Sequence, residues 1–247
     1  GFGLFSQKSQ GGGVAYDSIR QGPVSRYTHI VYGMGFIVTR EMLEDMQYDL
    51  PFKNARALGD AARTTQEIIA ANILNRAFNN SYTGGDGVEL CSTSHALVAG
   101  GTASNKLAVD ADLSEASIEQ MLIDISGMTD DRGLQKMAKA RQLIIPRQLQ
   151  FEAARILKSS QQSGTANNDI NAINALGLEI VVNHYLTDAD AWFLQTDVPD
   201  GLKCFNRRDV EFTQDNDFDT ENAKFKCTFR KSFGWTDWRN IYGSAGA

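Results

Sequence analysis

The sequence predicts an α+β fold, in which helices and strands occupy separate stretches of the chain. Residues 55–78 have helical periodicity, residues 210–230 alternate in the manner of antiparallel strands, and short apolar runs between them read as buried strands. The 247 residues are 42% hydrophobic and 22% charged, as in ordinary globular proteins. The longest apolar runs are far too short to span a bilayer, so we expect no membrane partner.

The first part of the chain, residues 4–33, predicts an extended arm. Val14-Ala15-Tyr16 and the run from Tyr27 to Tyr32 contain residue types that favour strands, and glycine and proline punctuate the segment between them. The pattern predicts a β-hairpin, and the hairpin contains few large apolar residues with which to form a core. An isolated hairpin is marginal in water, so this one needs an external surface to lie on.

Residues 55–78 predict the longest helix. Leu58, Ala62, Ile69 and Ile73 fall on one stripe, whereas Leu74 and Phe78 lie on nearly the opposite side. A helix with two apolar sides is either central within its domain or covered by something outside the domain. Both interpretations remain open at this point.

Clear end signals define the next helix. Ser114 is a good N-cap, Leu113 and Ile118 are placed for a hydrophobic staple, and Gly127 ends the helix before a turn at residues 129–133. Further along, the pattern predicts a strand ended by a proline, a helix, a short helix stopped by a left-handed glycine, and two more strands. These elements are placed at residues 143–145, 149–157, 170–176, 178–182 and 191–194.

The C-terminal part has the period of half-buried antiparallel strands. Val210 and Phe212 alternate with polar neighbours, as do Phe225, Cys227 and Phe229. The two runs flank an acidic stretch at residues 215–220. We therefore predict a long hairpin with a solvated acidic tip.

The candidate motifs for cofactor and metal binding lack residues that such sites require at fixed positions. The Gly-x-Gly pairs near the N-terminus lack the strand, helix and third glycine of a dinucleotide site. Asp215, Asp217 and Asp219 resemble a calcium loop, but Thr220 replaces the required glycine and Lys226 the bidentate glutamate. We expect no cofactor, no metal and no catalytic residues.

One catalytic alternative stays open, a cytosolic hydrolase that would use Ser94 or Cys91 with His95. No strand-to-helix elbow presents the serine, and no acidic partner is indicated by the sequence. The structural interpretation makes His95 a loop histidine and Cys91 a small buried hydrophobe. Similarly, Trp235 and Trp238 are expected to anchor the C-terminal segment rather than to stack on bases.

Charge and cysteine content limit the partners and the compartment. The net charge is −6, so the chain is a poor sequence-specific reader of nucleic acid, although it could form the wall of a container for it. Cys91, Cys204 and Cys227 are an odd number without a pairing motif, which favours a reduced cytosolic environment.

The order of these elements resembles the major capsid proteins of tailed bacteriophages, which have the Hong Kong 97-type fold, and within them the Mu-type major head subunit branch. No single motif is diagnostic, and the order of the segments carries the resemblance. The segments are residues 90–97 (LCSTSHAL), 113–118 (LSEASI), 142–146 (QLIIP), 176–182 (LGLEIVV), 190–194 (DAWFL) and 230–239 (RKSFGWTDWR).

The resemblance implies a division of the chain into parts. Residues 1–40 would be the extended β-hairpin loop, 41–140 the peripheral domain with its long spine helix, 141–206 the axial domain, and 207–247 the return strands of the peripheral domain. Because the chain begins with Gly1, we expect that the family's N-terminal arm, and any scaffolding segment, precede it.

The resemblance also implies a function. It is that of a structural virion protein, assembled in the host cytoplasm, whose hexamers and pentamers form an icosahedral shell around double-stranded DNA without sequence-specific binding. Scaffolding, portal and decoration proteins would be further partners. An encapsulin-like cellular compartment is the alternative within the same fold.

The arm would carry the contacts between copies of the chain. Lys8 is also the natural donor for the isopeptide cross-link that some members form, but no asparagine partner matches, since Asn240 is merely available. Noncovalent contacts are therefore expected. The predicted contact residues are Lys8, Tyr16, Ile19, Tyr27, Ile30 and Tyr32.

Overall fold

The computed structural model describes residues 2–19, 21–45, 49–162 and 169–247. Within them the protein has an α+β fold, as predicted. The helices are α1 (Arg40–Glu44), α2 (Asp49–Asn75), α3 (Glu115–Ser126) and α4 (Gln150–Lys158). The strands are β1 (Ile30–Val38), β2 (His95–Ala96), β3 (Thr102–Ala103), β4 (Ala140–Pro146), β5 (Glu179–Asn183), β6 (Trp192–Thr196), β7 (Leu202–Asn216), β8 (Ala223–Trp235) and β9 (Ile241–Ser244).

The chain divides into two compact units. Unit 1 consists of Gly1–Ser25, Leu74–Leu202 and Trp235–Ala247, and unit 2 consists of Arg26–Ile73 and Lys203–Gly234. Among the described helices, none is both long and apolar enough to cross a membrane.

Unit 1 is built on a four-stranded sheet in the order β5-β4-β6-β9. β4 pairs in parallel with β5 and antiparallel with β6, which pairs antiparallel with β9. Leu143, Ile145 and Leu194 on the two central strands are fully buried. The apolar runs at residues 143–145 and 191–194 were predicted to be strands, and both are confirmed as the centre of the main core.

Helix ends in unit 1 follow their sequence signals. The Ser114 side chain accepts the amide hydrogen of Ser117 at the start of α3, and Gly127 caps its end. Ile118, Met121 and Ile125 bury the inner face of that helix. Gly177 has φ 64°, the left-handed conformation that glycine adopts without strain, and it ends the short 3-10 helix Asn174–Leu176 as predicted.

Unit 2 is a three-stranded sheet, in the order β1-β8-β7, covered on one face by α2. Its buried core is small and consists of Leu58 and Ala62 from α2 with Cys227 and Phe229 from β8. β7 and β8 are adjacent, with the turn between them in the acidic stretch, so the predicted C-terminal hairpin is confirmed.

The longest helix lies earlier in the chain than the sequence predicted. α2 begins at Asp49, rather than at residue 55, and ends at Asn75. Proline in the first turn is compatible with a helix, because its missing N–H would have no partner there. The two apolar sides also have an explanation: Leu58 and Ala62 belong to the core of unit 2, whereas Leu74 belongs to unit 1.

The hairpin predicted within the N-terminal arm is wrong. No strand forms at Val14-Ala15-Tyr16, and the second predicted strand begins at Ile30, where it pairs with β8 instead of with the arm. Strand propensity alone did not produce pairing, because the arm has no apolar face packed on a second layer.

Candidate assembly surface

The N-terminal arm presents large apolar side chains to solvent. The exposed fractions are 83% for Leu4, 104% for Phe5 and 96% for Tyr16. Single exposed apolar residues are normal on protein surfaces, but a group of them on one irregular segment is typical of a surface that another molecule covers. The arm is therefore the first candidate for contact with another molecule.

The arm is closed into a loop by the Asp17 carboxylate. Its two oxygens accept the amide hydrogens of Gly3, at 2.9 Å, and Ser18, at 2.8 Å. At the other end, the amide of Gly12 donates to the carbonyl of Ser9, at 3.0 Å, and forms a turn. Residues 3–17, which we call the arm loop, thus have a defined base and a defined tip without a strand ladder.

Arg132 holds the base of the arm loop against the body of unit 1. Its guanidinium donates from Nη1 to Asp17 Oδ2 at 2.5 Å and from Nη2 to Asp17 Oδ1 at 3.2 Å, and also from Nη2 to the carbonyl of Ser18 at 2.6 Å. The amide of Gly3, Arg132 and the amide of Ser18 together lower the pKa of Asp17 to about 2. No pattern in the sequence indicates this pair, whose members are 115 positions apart.

The six residues predicted from the resemblance lie in two different environments. Lys8, Tyr16, Ile19 and Ile30 are exposed. The Tyr27 ring instead packs edge-to-face on Phe205 with 4.7 Å between centroids, and the Tyr32 ring stacks on Phe229 at 5.2 Å. Contact with a second copy stays a prediction for all six residues.

β1 forms an unprotected edge of the sheet in unit 2. Its sequence, IVYGMGFIV, contains no charged residue, and Val31 and Ile37 are 55% and 57% exposed. The opposite edge strand, β7, carries six charged residues along its length, beginning with Lys203 and ending with Asp215. Charges protect edge strands from pairing with other chains, so of the two edges of this sheet it is β1 that is open to another strand.

Packing between α2 and the sheet of unit 2 is incomplete. A cavity of about 200 Å³ lies beside Leu58 and Ala62 of α2 and Met34, Cys227 and Phe229 of the sheet. A second cavity, of about 300 Å³, lies between Leu58, Phe36, Phe212 and Phe225. Unit 2 therefore has apolar surface that its own side chains do not fill.

His95 does not have the surroundings of a catalytic base. Its ring is fully buried and stacks on Trp238 with 4.2 Å between centroids. Nδ1 lies 2.5 Å from Asp86 Oδ2, an acidic partner that the sequence did not indicate, and Nε2 lies 3.0 Å from Asn105 Oδ1. With both ring nitrogens occupied in this way, neither faces a nucleophile.

The two candidate nucleophiles near His95 serve the packing of the loop. Ser94 Oγ lies 3.3 Å from Ser92 Oγ. Cys91 is buried, and its burial raises the pKa of the thiol, which disfavours the reactive thiolate. The hydrolase alternative therefore has no geometry to support it. Trp238 is buried beneath His95, and the Trp235 ring lies directly against Gly84, so both tryptophans anchor the C-terminal segment as predicted.

Three solved structures share this fold. The capsid of Myoviridae phage XM1 superimposes with a TM-score of 0.58 at 10% sequence identity, covering 100% of this chain and 83% of that one. The capsid of a native GTA particle superimposes with a TM-score of 0.52 at 14% identity, covering 99% and 84%. A phage-related protein from Bordetella bronchiseptica RB50 gives a TM-score of 0.51 at 13% identity, covering 96% and 80%.

Sequence comparison gives the family. No curated protein matches the chain. The family profile described as phage capsid protein matches residues 23–244, which is most of the sequence. Its members are structural components of the virion capsid and not enzymes. With the same α+β fold as the phage and GTA capsids, the chain belongs to the phage capsid protein family.

Proposed function

We propose that this chain is the major head subunit of a tailed phage of the Mu-type branch, and that its copies form the hexamers and pentamers of an icosahedral shell. The arm loop would cross to the adjacent subunit in each ring. This is a heterologous contact, in which one surface meets a different surface of the next copy and the ring closes by rotation. Within this subunit, residues 1–40 are proposed to be the extended loop and residues 141–206 the axial domain. Residues 41–140 and 207–247 are proposed to form the peripheral domain.

The observation that carries the proposal is the exposure of Leu4, Phe5 and Tyr16 on a loop whose base is fixed. Burying such side chains against a neighbour contributes roughly 1.5–3 kcal/mol for each large apolar residue. The uncharged edge of β1 and the unfilled cavities of unit 2 point in the same direction. Stability would then belong to the assembled shell more than to the single subunit.

The decisive experiment removes the arm. Deletion of residues 6–24 should abolish closed particles in negative-stain electron microscopy, while the remaining chain still unfolds cooperatively. A finer version replaces Phe5 and Tyr16 by serine. Its matched control replaces Gln7 and Gln10 by alanine, because these exposed residues lie on the same loop but bring little apolar surface. Normal particles from the Phe5→Ser, Tyr16→Ser variant would contradict the proposal.

The contents of the particles test the proposed cargo. The net charge of −6 suits a wall that encloses double-stranded DNA and releases it, since no excess of cations would hold the phosphates. Nuclease-protected DNA of no fixed sequence is the expected content. Particles filled with a cellular enzyme would instead indicate the encapsulin-like compartment.

A further inference from the structure

Arg132 belongs to a turn whose backbone is held by its own hydrogen bonds. The Asp130 carboxylate accepts the amide hydrogens of Arg132, at 2.8 Å, and Leu134, at 3.0 Å. The amide of Asp130 donates to the carbonyl of Leu134, at 2.7 Å, and Thr129 and Gln135 form a bridge. This turn presents the guanidinium of Arg132 from a fixed backbone.

The same turn is attached to the core of unit 1 by Arg239, which is only 5% exposed. Arg239 donates from Nε to the carbonyl of Thr129 and from Nη2 to Asp131 Oδ1, both at 2.8 Å. On the other side, the amide of Ala99 donates to the carbonyl of Asp131, at 3.0 Å. A continuous set of contacts therefore runs from the buried C-terminal segment, through the turn, to Asp17 of the arm.

The arm touches the rest of unit 1 closely at a second place. A Cβ atom on Gly85 would lie 2.9 Å from the backbone of Val24, so the two backbones approach at a distance that only glycine allows. The arm is thus held near Asp17 and again near Val24. Between Gly3 and Asp17 the apolar side chains of Leu4, Phe5 and Tyr16 stay uncovered beside this fixed base, with Phe5 fully exposed.

We propose that Arg132 is the positioning residue of the arm loop, which fixes its base so that Phe5 and Tyr16 point toward a second copy of this chain. This inference rests on the proposed function of the loop. Arginine suits the role because its planar fork binds a carboxylate through two parallel hydrogen bonds and so fixes a direction as well as a distance. A lysine at the same place would supply the charge without the fork.

Orientation matters for assembly because a loop that samples many directions loses conformational freedom when it binds. A fixed base removes part of that loss before the subunits meet, which strengthens the contact without adding atoms to it. Arg132 and Asp17 are 24% and 43% exposed at their side chains, so the pair is close to solvent, and its effect is to hold the loop rather than to stabilise the fold.

Four variants test the proposal: Arg132→Gln, Asp17→Asn, Arg132→Lys and the double reversal Asp17→Arg with Arg132→Asp. Hydrogen exchange of residues 2–19 measures how firmly the loop is held, and the yield of closed particles measures assembly. We expect Arg132→Gln and Asp17→Asn to speed exchange in the loop about fivefold and to lower the particle yield by a similar factor. Arg132→Lys should be intermediate, and the double reversal should restore both properties in part.

The outcomes separate this inference from the proposed function. A looser loop with unchanged particle yield would overturn the positioning role of Arg132, and so would a double reversal that restores protection but not particles. The Phe5→Ser, Tyr16→Ser variant is measured beside these variants. If it assembles normally, the proposed function itself fails, whereas its failure to assemble leaves that function standing whatever the Arg132 variants do. Unchanged thermal unfolding in all variants confirms that the fold is intact.

Discussion

The two sheets of the molecule differ in how completely each is buried within its own unit. In unit 1 the central strands β4 and β6 are mostly buried, and the core around Leu143, Ile145 and Leu194 contains sixteen buried residues in the part of the unit that the structure describes. In unit 2 the core cluster has four buried members among the described residues, Leu58, Ala62, Cys227 and Phe229, and β1 has an open edge. The first unit supplies its own core, whereas the second keeps apolar surface that a neighbouring copy could cover.

This difference suits a shell subunit. A unit that folds by itself gives each copy a defined shape before assembly, and a unit with open surface supplies binding energy when copies meet. Obligate interfaces resemble a domain core cut in half and can exceed roughly 2,000 Å². The thin core and the cavities of unit 2 are the features expected of such a half.

The largest expected effect comes from truncating the core of unit 1. Leu194→Ala should lower the free energy of unfolding of the unassembled subunit by about 3–5 kcal/mol, because it empties a fully buried site in a well-packed sheet. Met34→Ala in unit 2, where the side chain is 65% exposed, should change it by less than about 0.5 kcal/mol. Denaturant unfolding measures both. Similar losses for the two variants would contradict the comparison.

Replacing a helical alanine by the larger valine should change the free energy of unfolding by a smaller amount, and with opposite sign in the two units. Ala153 is completely buried in α4, so Ala153→Val should destabilise by about 1–3 kcal/mol through overpacking. Ala62 lines the 200 Å³ cavity beside α2, so Ala62→Val has room and should stabilise by up to about 1 kcal/mol. The helix propensity of valine is the same in both places, which makes each variant the control of the other. Equal destabilisation would show that unit 2 is as tightly packed as unit 1.

Local signals in the sequence predicted the local structure well. The Ser114 cap, the Gly127 stop, the left-handed Gly177 and the alternation of Phe225, Cys227 and Phe229 all lie where the pattern placed them. Each of these depends on neighbours a few positions away, where the backbone geometry and the period of burial determine the residue type. The expected anchoring role of Trp238 is also confirmed, since its buried ring stacks on His95.

Contacts between distant parts of the chain were not predictable in the same way. Asp17 and Arg132 meet only because a turn and an irregular arm come together, and nothing periodic marks either residue. His95 and Asp86 are close in sequence, but the loop that joins them has no regular structure from which to infer a contact. Strand propensity at Val14 and Tyr16 predicted a strand that does not form, because pairing requires a packed face as well as suitable residues.

The arm resembles unit 2 in leaving apolar surface uncovered, although it belongs to unit 1. Acid should loosen the arm loop and leave the sheet core of unit 1 folded. The pKa of Asp17 is lowered from 3.8 to about 2 in the folded chain, mainly by the amide of Gly3 and by Arg132. A carboxyl group whose pKa is lowered by folding contributes stability that is fully present at pH values above its pKa in the unfolded chain. That stability is lost as the pH falls through its pKa in the folded chain. The hold on the arm loop should therefore be constant above about pH 4, weaken as the pH falls toward 2 and be lost below about pH 2. The measurement is the hydrogen-exchange rate of residues 3–18, divided at each pH by the rate of the same residues in Asp17→Asn. This variant is the reference because it lacks the titrating charge. The ratio should approach one as the pH falls below about 2 while the strands around Leu194 stay protected. A ratio that does not change with pH would show that the carboxylate does not hold the loop.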